Sequence, residues 1–88
     1  MLFIALAKFK TKLNKEVVAR NRKDIVADTK GQVGYLGIYR TPGRYDTVIL
    51  FEAPDEKVAM KMAIRRAEDM DIETLLAIPM EEAKKLVE

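Results

Sequence analysis

The sequence has no cysteine, no histidine and no tryptophan. Without cysteine there are no disulfides, thiol nucleophiles or thiolate metal ligands, and without histidine there is neither imidazole acid–base chemistry nor an imidazole metal site. Much of the usual enzyme repertoire is therefore removed. No apolar run approaches the ~20 residues needed to cross a bilayer. The first residues, MLFIALAKFK, lack the basic start and small-residue cleavage site of a secretory leader, so they read as a strand. A cytoplasmic protein with no membrane association is expected. Charge of one sign is lacking as well: 16 basic residues against 14 acidic ones give +2, with the signs interspersed. That pattern argues against a nucleic-acid partner. Lys8, Lys10, Lys12 and Lys15 form the one local excess and are read as a solvated strand end and loop.

What is present is a globular balance, 49% hydrophobic and 34% charged over 88 residues, which suits one domain spanning residues 1–88. Residues 2–9 are apolar at nearly every position, and this length favours a strand covered on both sides. Residues 14–30 read as a helix, with Asn14 as cap, Gly31 as stop, and Leu13, Val17, Val18 and Ile25 as the apolar stripe that Asn21 and Arg22 interrupt. Residues 33–40 form a second strand. Pro42-Gly43 is a turn signal, because Pro presets φ and Gly accepts the positive φ of a type II turn, and residues 45–53 return as a third strand.

Pro54 is expected in the first turn of a second helix that runs to about Asp69, with Ala59, Met60, Met62, Ala63, Ile64, Ala67 and Met70 on its apolar side. Residues 72–78 form the last strand, and a short helix follows Pro79. The order β-α-β-β-α-β-α suits a ferredoxin-like α+β sandwich, with a four-stranded antiparallel sheet and two helices on one face.

In such a sandwich the face away from the helices alternates to polar residues if it meets water. These strands stay apolar on both sides. If Arg40 pairs with Tyr45 across the hairpin, Leu36, Ile38, Ile49 and Phe51 face the helices, and Tyr35, Gly37, Tyr39, Asp46, Val48 and Leu50 face outward. An exposed apolar patch of several hundred Å2, by strand-area reasoning, marks an interface. A homodimer packed sheet to sheet is expected, with Tyr35, Tyr39, Val48 and Leu50 in the interface.

Gly43-Arg44-Tyr45-Asp46, followed by EAPD at residues 52–55, resembles the GYD domain family. LGIYRTPGRYD is similar to that family's second strand and turn, and IETLLAI to its closing strand, with Thr74, Leu75 and Ala77 on the recurrent Thr, Leu and Ala. Pro42, Leu76 and the tail after Pro79 depart from the pattern. The resemblance implies a ferredoxin-like fold in a dimeric α/β-barrel assembly, with a biochemical role that is uncharacterised for the family.

Arg44, Tyr45 and Asp46, with Tyr35 and Tyr39, are the candidate ligand contacts, although turn fixation explains Asp46 equally well. No catalytic residue, metal or cofactor is nominated. Glu52 with Asp55, and Glu68 with Asp69 and Asp71, lack metal-site spacing, and the glycines do not make a phosphate-binding loop. Three functions remain open: a small-molecule-binding homodimer, with a pocket between sheet and helices near Phe3, Tyr35, Tyr39, Val48 and Met62; a non-catalytic interaction or regulatory module; and an RNA-binding sheet.

Overall fold

A computed structural model describes residues 1–87 of the chain. The elements are β1 (Leu2–Phe9), α1 (Lys15–Lys30), β2 (Gly34–Arg40), β3 (Thr47–Glu52), α2 (Glu56–Arg66), β4 (Met70–Ala77) and α3 (Met80–Lys85). The strands form an antiparallel sheet in the order β2-β3-β1-β4. This is the expected ferredoxin-like sandwich.

Both long helices start where a side chain can satisfy an orphan backbone donor. Asn14 Oδ1 accepts from Val17 N at 2.9 Å, and Asp55 Oδ1 accepts from Val58 N at 3.0 Å. Pro54 thus precedes the cap of α2 instead of occupying its first turn. α2 also stops at Arg66, earlier than expected, and the turn at 67–69 feeds a strand that begins at Met70. Lys10 fixes that turn, donating from Nζ to Ala67 O at 2.8 Å and from its backbone N to Asp69 O at 2.9 Å. Arg20 pairs with Asp69 at 2.8 Å and ties α1 to the same place. Gly31 closes α1 with φ −89, and the left-handed residue is its neighbour Gln32, at φ 77.

The helix-side face of the sheet carries the core. Phe3 and Phe51 stack with centroids 5.3 Å apart, and Ile49, Val33, Ala53, Ala59 and Met62 surround them. A second cluster of Ala7, Phe9, Val17 and Met70 lies toward the other end of β1. Ala5 and Ala7 are fully buried, and their small size lets the helices approach the central strand closely. Only Ala59, Met62 and Arg66 of α2 are buried, whereas Met60 and Ile64 are exposed, so the inward stripe is narrower than its apolar composition suggests. α3 has no buried residue.

The β2–β3 hairpin departs from the expected register. Arg40 pairs with Thr47, Tyr39 with Val48 and Ile38 with Ile49, two positions beyond the Arg40–Tyr45 pairing. A bulge between Tyr35 and Gly37 then places Tyr35 opposite Phe51. Because strand side chains alternate with period two, one extra residue moves Tyr35 from the outward face to the helix face. Leu36, expected on the helix face, is the residue within the bulge and is exposed.

The outward face keeps its apolar middle. Leu2, Ile4, Leu6, Val48 and Leu50 are half-buried by their neighbours, and Leu75 and Tyr39 are exposed beside them. Charged side chains lie on its borders: Lys8, Asp71, Glu73 and Glu52 share this face by register. Removing the Asn14 cap in Asn14→Ala should lower stability by about 1 kcal/mol. Urea unfolding checks the value, and an unchanged midpoint would show that Asn14 does not hold α1.

Candidate functional site

Asp28 is two residues before the end of α1, Arg65 and Arg66 lie in the last turn of α2, and Tyr35 is on the helix side of β2 because of the bulge. These three elements meet in a buried polar network. Asp28 and Arg66 are 2% and 1% exposed, respectively. Arg66 Nη1 lies 2.6 Å from Asp28 Oδ2 and donates to Met62 O at 3.2 Å. Tyr35 OH donates to Asp28 Oδ2 at 2.7 Å and accepts from Arg66 Nη2 at 2.9 Å. Arg65 Nη1 reaches the other oxygen, Asp28 Oδ1, from the solvent side at 2.5 Å.

Two guanidinium groups therefore contact one carboxylate. Asp24, one turn earlier, makes no contact ion pair with them; burial raises its pKa, and the nearby Arg66 opposes that shift. Burial, reinforced by donation to Asp28, raises the Tyr35 pKa well above the ordinary tyrosine value, so the phenol stays protonated.

One donor in this network has no counterpart: Arg66 Nε is buried without a hydrogen-bond partner among the described residues. A buried, unpaired donor costs about 1–3 kcal/mol, more when charged, so such groups call for a polar partner. Arg66 lines an enclosed cavity of about 20 Å3 between α1 and the sheet, together with Asn21, Ile25, Tyr35, Arg40 and Thr47. That volume accommodates one water-sized group, for which ~10–15 Å3 suffices. Arg40 stands at its edge, donating from Nη1 to Thr47 Oγ1 at 2.9 Å, with its guanidinium 5.1 Å above the Phe9 ring. On the other side of Arg40 and Phe9 a cleft of about 350 Å3 opens to solvent, lined also by Thr11, Lys12, Leu13 and Asp46. A larger hollow, about 520 Å3, runs along the start of α1 and the two residues before it, past Leu13, Asn14, Val18 and Arg22, and has only one wall.

The residues nominated from sequence are dispersed. Tyr35 joins the buried network. Tyr39 is on the outward face, with its ring over Gly37: a Cβ added there would fall 2.6 Å from Tyr39 Cε2 and 2.7 Å from its OH. Arg44 lies 5.7 Å above the Tyr45 ring, and Tyr45 OH donates across the sheet to Glu73 Oε2 at 2.9 Å, which raises the Tyr45 pKa. Tyr45 thus reaches a residue of the outward face.

Asp46 is not beside Tyr39, whose partner is Val48; its Oδ2 accepts from Phe9 N at 2.9 Å, and its own N donates to Ala7 O at 2.8 Å. Asp46 thus latches the start of β3 to the end of β1. Val48 and Leu50 are half-buried on the outward face. The pocket set expected from sequence is split, with Phe3, Tyr35 and Met62 on the helix side and Tyr39 and Val48 on the other. Sequence reading missed Asp28 and Arg66, although Asp28 continues the Val17, Asn21, Asp24 spacing and Arg66 the Ala59, Met62 spacing: a charge on an inward stripe was the signal.

A sheet in this order with two helices on one face defines a ferredoxin-like α+β sandwich, the fold found in solved proteins of low sequence identity. A Streptomyces coelicolor A3(2) protein, SCO4226, superposes with a TM-score of 0.57 at 12% identity, over 89% of this chain and 96% of that one. Muconolactone isomerase superposes with a TM-score of 0.55 at 19% identity, over 91% and 93%. At these identities the likeness concerns the fold alone. No protein of curated function matches the sequence. The profile of the GYD domain matches residues 3–87, and the chain belongs to that family.

Because Asp28 holds both guanidinium groups, Asp28→Asn should cost about 3–5 kcal/mol, whereas Arg65→Gln, at the exposed end, should cost under about 1 kcal/mol. Similar losses in urea titrations would contradict this account. Tyr35→Phe should cost about 1–2 kcal/mol. The folded state holds the Tyr35 proton to higher pH than the unfolded chain, so that contribution is complete below the unfolded value of 10.0 and falls away as pH rises above it. Wild type should therefore lose stability more steeply in alkali than Tyr35→Phe, and parallel curves would refute the burial of this phenol.

Proposed function

We propose that the protein is a homodimeric small-molecule-binding protein, in which two sheets pack by their outward faces and ligand binds between each sheet and its helices. The observation that carries the reading is the cavity beside Arg66, with its unpartnered buried Nε and a ligand-sized cleft next to it. Apolar enclosure with a few convergent polar groups is the general form of a small-molecule site. The likeness to muconolactone isomerase adds no reaction, since one fold hosts many chemistries. Self-association is supported by the outward face, whose apolar middle and charged border have the anatomy of an interface. A dimeric α/β barrel built this way would cover the outward positions of β1 that water otherwise reaches, chiefly Ile4 and Leu6, together with Val48 and Leu50 of β3.

Native mass spectrometry of gently purified protein tests both parts, with a dimer mass carrying a bound small molecule as the expected result. A bare monomer at micromolar concentration would overturn the reading. Leu50→Lys should shift the protein to monomer while its circular dichroism spectrum persists. Gly37→Ala should push the Tyr39 ring off the sheet and weaken the dimer about tenfold, since aromatic anchors carry much of an interface's energy. Dimers unaffected by either change would place the contact elsewhere.

A further inference from the structure

The cavity beside Arg66 and the solvent-facing cleft share two walls, Phe9 and Arg40. The inner space, about 20 Å3, admits a single polar atom, whereas the outer space, about 350 Å3, admits the body of a small organic molecule. The donors point to the head group. Arg66 is 1% exposed and keeps an unpartnered Nε–H, and Arg40 spends one N–H on Thr47 at the junction of the two spaces. A planar guanidinium N–H in an enclosed site matches a carboxylate oxygen in shape and charge. Asp46 in the outer wall disfavours a phosphate or sulfate dianion more than a singly charged carboxylate. The Asp46 carboxylate is itself engaged by Phe9 N at 2.9 Å, and Lys12 on the same wall offsets its charge. Phe9 and Leu13 provide apolar wall for a ligand body.

We propose that the ligand is a small monocarboxylate with an apolar body: one carboxylate oxygen enters beside Arg66 Nε, the other faces Arg40, and the body lies against Phe9 and Leu13. This deepens the ligand-binding reading and rests on it. Arg40 and Arg66 are positioned to select the charge.

The test uses the full chain with phenylacetate, its neutral amide phenylacetamide, and sodium chloride at matched ionic strength, followed by calorimetry and amide chemical shifts. Phenylacetate should bind at least about tenfold more tightly than the amide, since a charge-assisted pair replaces a neutral one. Its shifts should map to Phe9, Arg40 and Thr47, and Arg40→Gln should weaken it by about tenfold at a temperature where the variant is still folded. Equal binding of acid and amide, equal shifts with chloride, shifts centred on Leu6 and Leu50, or full affinity in Arg40→Gln would each overturn the proposal. The acid-against-amide comparison needs no variant, so it decides even if Arg40→Gln does not fold. Binding of the amide in the cavity without binding of the acid would sink the carboxylate while leaving a small-molecule site in place. No binding by either probe, with no ligand retained in native mass spectrometry, would remove both readings.

Discussion

The ion pair between Asp28 and Arg66, locked by Tyr35, is the constraint on which the arrangement of layers depends. It joins the end of α1, the end of α2 and the start of β2 through atoms 2.6–2.9 Å apart. Each of these charges loses several kcal/mol of hydration on burial, so the pair is tolerable only where its geometry is good and its other hydrogen bonds are made. That requirement limits how the two helices can slide over the sheet. It also prevents an apolar close-packed filling at this point, because a guanidinium with one donor unspent cannot be surrounded by methyl groups without cost. The cavity lies beside the ion pair, with one apolar cluster around Phe3, Phe51 and Met62 and a second around Ala7, Phe9 and Met70 bordering it.

Features that depend on a few adjacent residues were legible in the sequence. Asn14 and Asp55 cap the helices because their oxygens reach donors only three residues away, and apolar strands in a β-α-β-β-α-β order leave few alternatives for the topology. The outward face could also be read, since alternation fails visibly in residues 2–7 and 48–50. What escaped was set by distant partners. The bulge at Tyr35–Gly37 is one residue of slippage, invisible in a segment of glycines and tyrosines where either face tolerates either residue, yet it turns Tyr35 from interface candidate to core hydrogen bonder. Asp28 and Arg66 drew no attention in the sequence because charged residues near helix ends are usually solvated. Their burial depends on each other across 38 residues of sequence, the span from 28 to 66.

The two faces of the sheet are apolar for different reasons. On the helix side, side chains are buried almost completely and small residues such as Ala5 and Ala7 set the interlayer distance. On the outward side, Leu2, Ile4, Leu6, Val48 and Leu50 are only half-covered, and what covers them is each other. Tyr39 lies flat over Gly37 on this side, an arrangement that needs a position without Cβ. A flat aromatic beside a leucine-rich patch with charges at its margin is suited to a second sheet more than to bulk water.

The Gly-Arg-Tyr-Asp signature acquires a mechanical meaning from these contacts. Asp46 accepts the backbone N–H of Phe9 at the end of β1 and returns its own N–H to Ala7, so the carboxylate fixes where the chain leaves the sheet toward α1. Phe9 carries the Arg40 guanidinium on its ring, and these two residues separate the inner cavity from the outer cleft. Tyr45 meanwhile is turned the other way, hydrogen-bonded to Glu73 at the margin of the outward face. Adjacent residues of one short motif therefore serve opposite faces of the sheet, Asp46 holding the wall of the proposed ligand site and Tyr45 the border of the proposed interface. A signature with those two duties would tolerate substitution poorly, because moving either residue disturbs the register of β3 that both faces share.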